Sequence, residues 1–158
     1  MLTTPRGIRT LLAWLVFPAA VACEKPSIDV TSEQFQQLQW ITGTWQGSGG
    51  NYASFFEEYR VIDDSTFGMR SFTDSTLAVV SDSSTIELRD GVVRSRGADG
   101  SFYDVSEFTE TSIRFIRPGA RSGGHTFSLV SDGEWTATLH PAEPNAQPTV
   151  YTMRRIRS

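Results

Sequence analysis

Few side chains in this 158-residue chain have the type and spacing to do chemistry. Glu57 is the first. It lies between Phe55 and Tyr59 on a two-residue alternation that puts all three on one face of a strand, the face assigned to the interior. A carboxylate there loses hydration, and its pKa rises unless a cation or several donors meet it; that is the condition of a proton-transfer or ligand-anchoring group. Arg155 is one candidate partner, whereas the opposite register, or a bulge, would turn Glu57 to solvent. His125 shares parity with Phe127 and Leu129 and begins a strand just after a glycine-rich loop, at the mouth of whatever the strands enclose. There it is either a proton-transfer group or a loop-end histidine with no special role. His140 precedes Pro141 in a turn and has less to recommend it.

Other chemistries are excluded by pattern. Glu57 and Glu58 point to opposite faces of one strand and cannot form a carboxylate dyad. The serines include two Asp-Ser-Thr triplets, but no G-x-S-x-G elbow and no histidine placed beside them, so they read as turns. Gly47, Gly49 and Gly50 lack the following helix and lysine of a phosphate loop. One cysteine and two histidines leave no set for a structural zinc and no disulfide within the chain. No catalytic residue and no metal site is therefore assigned.

Residues 1–22 are set apart from whatever positions these groups. Arg6 and Arg9 precede an uncharged apolar run that contains Pro18 and is too short to span a bilayer, the pattern of a secretory signal peptide. Small residues, Ala20, Val21 and Ala22, lead to Cys23, the only cysteine. This arrangement resembles the lipobox of bacterial lipoproteins, in which the cysteine becomes the acylated first residue; the same triplet also fits an ordinary A-x-A cleavage site. Lipidation at Cys23 is the expectation, since an exposed unpaired thiol is a liability in an oxidising compartment. Glu24 after the cysteine, by the same resemblance, favours an outer-membrane anchor facing the periplasm. Loss of residues 1–22 removes two arginines and no acid, taking the net charge from −4 to about −6, so nucleic acid is not expected as a partner.

Residues 23–31 read as a lipid-anchored linker, with Pro26 and no periodicity. Residues 32–158 form one domain. Thr31 opens a capping box with Gln34, and Phe35, Leu38 and Ile41 recur at helical spacing, which predicts one short helix over about 32–40 across a closed barrel end. From Trp45 onward the period is two: Phe67 and Met69 alternate against Gly68 and Arg70, Ile86 and Leu88 against Glu87 and Arg89. Asp-Gly pairs at 90–91, 99–100 and 132–133 predict two-residue hairpins, and Asp63, Asp74 and Asp82 softer Asx turns. About ten short strands without crossover helices predict an all-β, up-and-down antiparallel β-barrel, closed because open edges aggregate. Two connections look long, residues 117–124 and 141–148, and suit flexible loops at a mouth.

The segment WITGTWQGSGG at 40–50, the meander after it, and the final strand carrying Tyr151, Met153, Arg154 and Arg155 resemble the calycin group of lipocalins, fatty-acid-binding proteins and nitrobindin-like barrels. GTWQGSG is similar to the nitrobindin opening. The runs FFEEYRVIDDSTFGMRSFTD and TIELRDG, with a late HTF, look closer still to a family of bacterial barrel domains without an assigned activity. The resemblance covers most of residues 38–156. It implies that Trp45 packs beneath an arginine of the last strand; Arg155 is the choice over Arg154, since it shares the apolar parity of Tyr151 and Met153. It also raises haem, held by a histidine in nitrobindins, but no residue matches that ligand position closely enough to be carried over, and no cofactor is assigned.

The residues thus point to an envelope barrel that binds a small apolar or amphipathic molecule in a pocket lined by Phe55, Glu57, Tyr59, Phe67, Met69, His125, Phe127 and Tyr151. Two alternatives stay open: a structural or interaction module whose barrel is filled by side chains, and an enzyme built on Glu57 and His125.

Overall fold

A computed structural model describes residues 28–157. Cys23, the apolar run before it and most of the linker lie outside the described residues. The domain opens with the predicted capping box: Thr31 Oγ1 accepts from the Gln34 amide at 3.2 Å, and the Gln34 side chain accepts from the Thr31 amide at 2.9 Å. The helix α1 is only Ser32–Gln36, and it tightens into a 3-10 helix over Gln37–Ile41. Together they cover about the stretch expected to be one helix. Phe35, Leu38 and Ile41 are all fully buried, so the apolar stripe is spent closing one end of the barrel.

Ten antiparallel strands follow in a single meander: β1 (Gly43–Gly49), β2 (Tyr52–Asp63), β3 (Thr66–Phe72), β4 (Val80–Arg89), β5 (Val92–Gly97), β6 (Phe102–Thr109), β7 (Ser112–Ile116), β8 (His125–Ser131), β9 (Glu134–Leu139) and β10 (Thr149–Arg157). Each pairs with its neighbours in sequence, and β1 pairs with β10 to close the barrel, leaving no edge strand. The fold is the expected up-and-down barrel.

An up-and-down meander sends alternate connections to opposite ends. The end under the helix receives the short ones. Between β4 and β5 the turn is the predicted two-residue hairpin, with Asp90 and Gly91 both left-handed at φ 52° and 77°. Asp132 and Gly133 join β8 to β9 in two residues. The opposite end receives residues 73–79, 117–124 and 140–148, the three longest connections. The last two were expected to be long. They touch each other, Ser122 Oγ donating to the Ala142 carbonyl at 2.8 Å, and they frame the open mouth.

Three local expectations need correction. Asp99 and Gly100 sit in a four-residue connection rather than a two-residue hairpin, because the Asp99 carboxylate accepts from the Ser101 amide and hydroxyl and builds a wider Asx loop. Asp82 and Ser83 lie inside β4, where pairing with Ser71 and Arg70 overrides the local turn signal. Residues 28–31, expected as the end of a linker, belong to the domain: Val30 is buried, its amide donates to the Gly91 carbonyl at 2.7 Å, and Ile28 packs on the core.

Candidate functional site

The barrel is plugged at the helix end. Trp45, from β1, and Trp135, from β9, are fully buried and meet edge to face at 5.8 Å. Trp45 Nε1 donates to the Ile41 carbonyl at 2.7 Å, tying the first strand to the 3-10 helix. Arg155, on β10 opposite Trp45, lays its guanidinium 4.1 Å from the indole and donates to the carbonyls of Thr42, Trp40 and Asp132. This is the pairing the resemblance implied, with Arg155 rather than Arg154, which reaches Glu134 outside. Phe67 belongs here too: it is buried against Phe35 at 5.0 Å and does not line the cavity that the other expected pocket residues share, so its expected place beside them is corrected. Parity gave its face correctly; its height on β3 puts it under the helix.

Above the plug is a cavity of about 550 Å³ that opens at the mouth. A water's share of liquid volume is about 30 Å³, so this part of the barrel is not filled by its own side chains. The other seven pocket residues expected from sequence, Phe55, Glu57, Tyr59, Met69, His125, Phe127 and Tyr151, all line it. Its two sides differ chemically. Strands β8 to β10 supply Phe127, Ala137, Leu139, Tyr151 and Met153, a nearly unbroken apolar wall. Strands β2 to β5 mix the polar Glu57, Ser71, Asp82, Ser84 and Ser95 with Phe55, Tyr59, Met69 and Ile86. The inward serines were missed by sequence reasoning, although the signal was present: Ser71 continues the parity of Met69, Ser84 that of Ile86, and Ser95 that of Val93.

Glu57 does point inward. Its Oε2 accepts from the Tyr59 hydroxyl at 2.9 Å and its Oε1 from Ser71 Oγ at 3.4 Å. Burial pushes its pKa above the usual carboxylate value; the two hydrogen bonds pull it down, and the charge of Asp82 pushes it further up. Tyr59 is held well above its ordinary value by burial and by the neighbouring carboxylate. Arg155 is not its partner: Trp45 on β1 stands between them, and the guanidinium is taken up by three backbone carbonyls at the plug.

His125 enters the cavity wall from the start of β8. Its ring is flanked by Phe115 at 4.9 Å, Tyr103 at 5.1 Å and Phe127 at 5.2 Å. Desolvation, with a smaller push from His140, lowers its pKa to about 4, so it is a neutral imidazole at neutral pH. The left-handed Gly124 before it, at φ 85°, lets the chain pass within contact of the Phe115 carbonyl, where a Cβ would lie 2.0 Å from the oxygen. His140 bonds Thr126 at 2.8 Å and stays on the loop side.

The cavity does not suit haem. Among the described residues no lysine or arginine lines it, so haem propionates would face Glu57 and Asp82, and His125 is already enclosed by three rings. Among the described residues no three His, Cys, Asp or Glu side chains converge as a metal site requires.

A scan of the chain against protein-family models finds no match. A search of the curated proteins finds none either. Among solved structures, the chain is similar to a redesigned β-barrel at 11% identity and a TM-score of 0.36, over 82% of this chain and 98% of that one.

Proposed function

We propose that this protein is an exported, lipid-anchored binding barrel of calycin type that holds a small apolar or amphipathic molecule in the cavity above the Trp45 plug. The observation that carries the reading is the cavity itself: about 550 Å³, within the range of small-molecule sites, walled by aromatic and aliphatic side chains with a few polar groups on one side. Tyr52 and Leu139, exposed and on the cavity wall, offer an apolar path from the mouth inward. The anchor rests on Cys23 and the residues before it, and would hold the barrel at the outer membrane, facing the periplasm.

Native mass spectrometry of the protein extracted from its own envelope tests the binding reading: a retained small molecule, displaced on unfolding, is expected. Bare protein from that source, together with no binding of any amphipathic probe, would remove it. Metabolic labelling with palmitate tests the anchor, with label on the wild type and none on Cys23→Ala expected; equal labelling defeats it.

A further inference from the structure

The binding reading leaves the chemical class of the ligand open, and the inference made here rests on that reading. The cavity wall carries two carboxylates, Glu57 inside and Asp82 at the exposed rim. Among the described residues it carries no lysine or arginine. Neither carboxylate is ion-paired within the described residues. The ion pairs of the described residues use Glu58, Glu87, Asp104, Glu107 and Glu134. Many exposed acids are unpaired as well, but water serves them; Glu57 lies buried in the cavity wall, where no counter-cation among the described residues reaches it.

A buried carboxylate without a cation is costly, and its hydrogen bonds from Tyr59 and Ser71 do not saturate it: an ionised carboxylate has about four acceptor positions, and two are used. Phe55 and Tyr59 flank Glu57 on the same strand face, roughly 7 Å to either side along the strand. The Phe55 ring meets Tyr151 over the glycines of β1 at 5.5 Å, edge to face, so the two rings form one patch of the cavity wall. A cation brought to Glu57 would thus find a carboxylate and aromatic rings at once, while its apolar body lies on the β8 to β10 wall. The same arrangement repels an anion: a carboxylate or phosphate headgroup would be desolvated beside Glu57 with no guanidinium or ammonium to receive it.

We propose that the cavity selects an organic ammonium, a primary amine or a more substituted one with an aromatic or aliphatic body, whose cationic head is held by Glu57 with support from Asp82 and whose body packs on Phe127, Ala137, Tyr151 and Met153. Binding of the cation and ionisation of Glu57 reinforce each other: the ligand supplies the counter-charge that the fold withholds.

The test uses three probes with one body, phenylbutylamine, phenylbutanol and phenylbutyrate, titrated into the folded domain near neutral pH by calorimetry. The amine is expected to bind at least about tenfold more tightly than the alcohol, as a charge-assisted hydrogen bond implies, and the carboxylate most weakly. Glu57→Gln should shrink the amine's advantage over the alcohol by about tenfold. Asp82→Asn, at an exposed position that leaves the buried hydrogen bonds alone, should shrink it by about twofold. If phenylbutyrate binds as well as the amine, or if the advantage survives in both variants, selection for a cation is overturned while the binding reading stands. If none of the three binds, the inference falls, and the native mass spectrum alone decides whether the binding reading falls with it.

Discussion

Replacing His125 by Phe should remove a specific acid weakness. In the folded protein the imidazole is enclosed by Phe115, Tyr103 and Phe127, and its pKa is lowered from 6.5 to about 4. In the unfolded chain it titrates near 6.5. Above that pH neither state binds the proton and the group contributes no pH dependence. Between 6.5 and about 4 the unfolded chain binds more protons, so folding stability falls on acidification by about 1.4 kcal/mol per pH unit. The full interval would give about 3 kcal/mol; allowing for the ring's partial exposure, about 2 kcal/mol is expected. Phe fits among the neighbouring rings and has no proton to gain. Urea unfolding of both proteins across this range isolates the effect, since every other titrating group is common to them. The wild type should lose about 2 kcal/mol relative to His125→Phe between pH 7 and about pH 4.5. A difference that stays flat, or imidazole ring protons that titrate near 6.5 by NMR, would refute the argument.

Other substitutions separate the plug from the cavity. Arg155→Lys loses the planar contact with Trp45 and cannot reach three carbonyls at once, so a loss of about 2 kcal/mol in urea unfolding is expected. Phe67→Ala empties a fully enclosed site beside Phe35 and should cost about 3–5 kcal/mol, with phenylbutylamine affinity unchanged in the protein that remains folded; a large affinity change would return Phe67 to the pocket. Gly47→Ala places a Cβ 2.2 Å from the Phe55 ring, which must swing into the cavity or outward. Its stability cost should be about 1–3 kcal/mol, and calorimetry should show weakened amine binding as well.

What was legible in the sequence followed from periodicity, and what was missed depended on height. Alternation fixed the face of Glu57, His125 and Met69, because each side chain's direction is set within its own strand. Phe67 obeys the same alternation and is still not in the cavity: how far up the barrel a residue sits depends on the stagger between strands, which only closure of β1 on β10 determines. The Asx turn expected at Asp74 is present, but the length of this third mouth loop is not legible, because residues 73–79 contain no Gly or Pro and a left-handed Leu77 extends the turn that the Asp74 side chain begins. Serines suffered the reverse error. Their residue type suggests nucleophiles and turns, whereas it is parity that puts Ser71, Ser84 and Ser95 inside. Parity turns both Arg155 and Glu57 inward on nearby strands, but an arginine goes where carbonyls can saturate its fork, and the plug provides three.

The same carboxylate shows what the cavity costs the fold. Burial raises the Glu57 pKa, so the folded protein holds this proton more tightly than the unfolded chain does. Its contribution to stability is therefore full below 4.5 and is lost as the pH rises through the raised folded value, leaving a net cost at neutral pH. Glu57→Gln removes the ionisable group while its amide oxygen can still accept from Tyr59 and its amide nitrogen can donate to Ser71 Oγ. The variant should be as stable as the wild type or more so at neutral pH by urea unfolding, and its advantage should shrink toward acid, where the wild-type carboxyl is protonated. A variant less stable than wild type by more than about 1 kcal/mol at neutral pH would show that the carboxylate is structural. A gain in stability with loss of amine preference would instead mean that β2 keeps a charge the barrel is better off without, and only a ligand that pairs with that charge gives the fold a reason to hold it there.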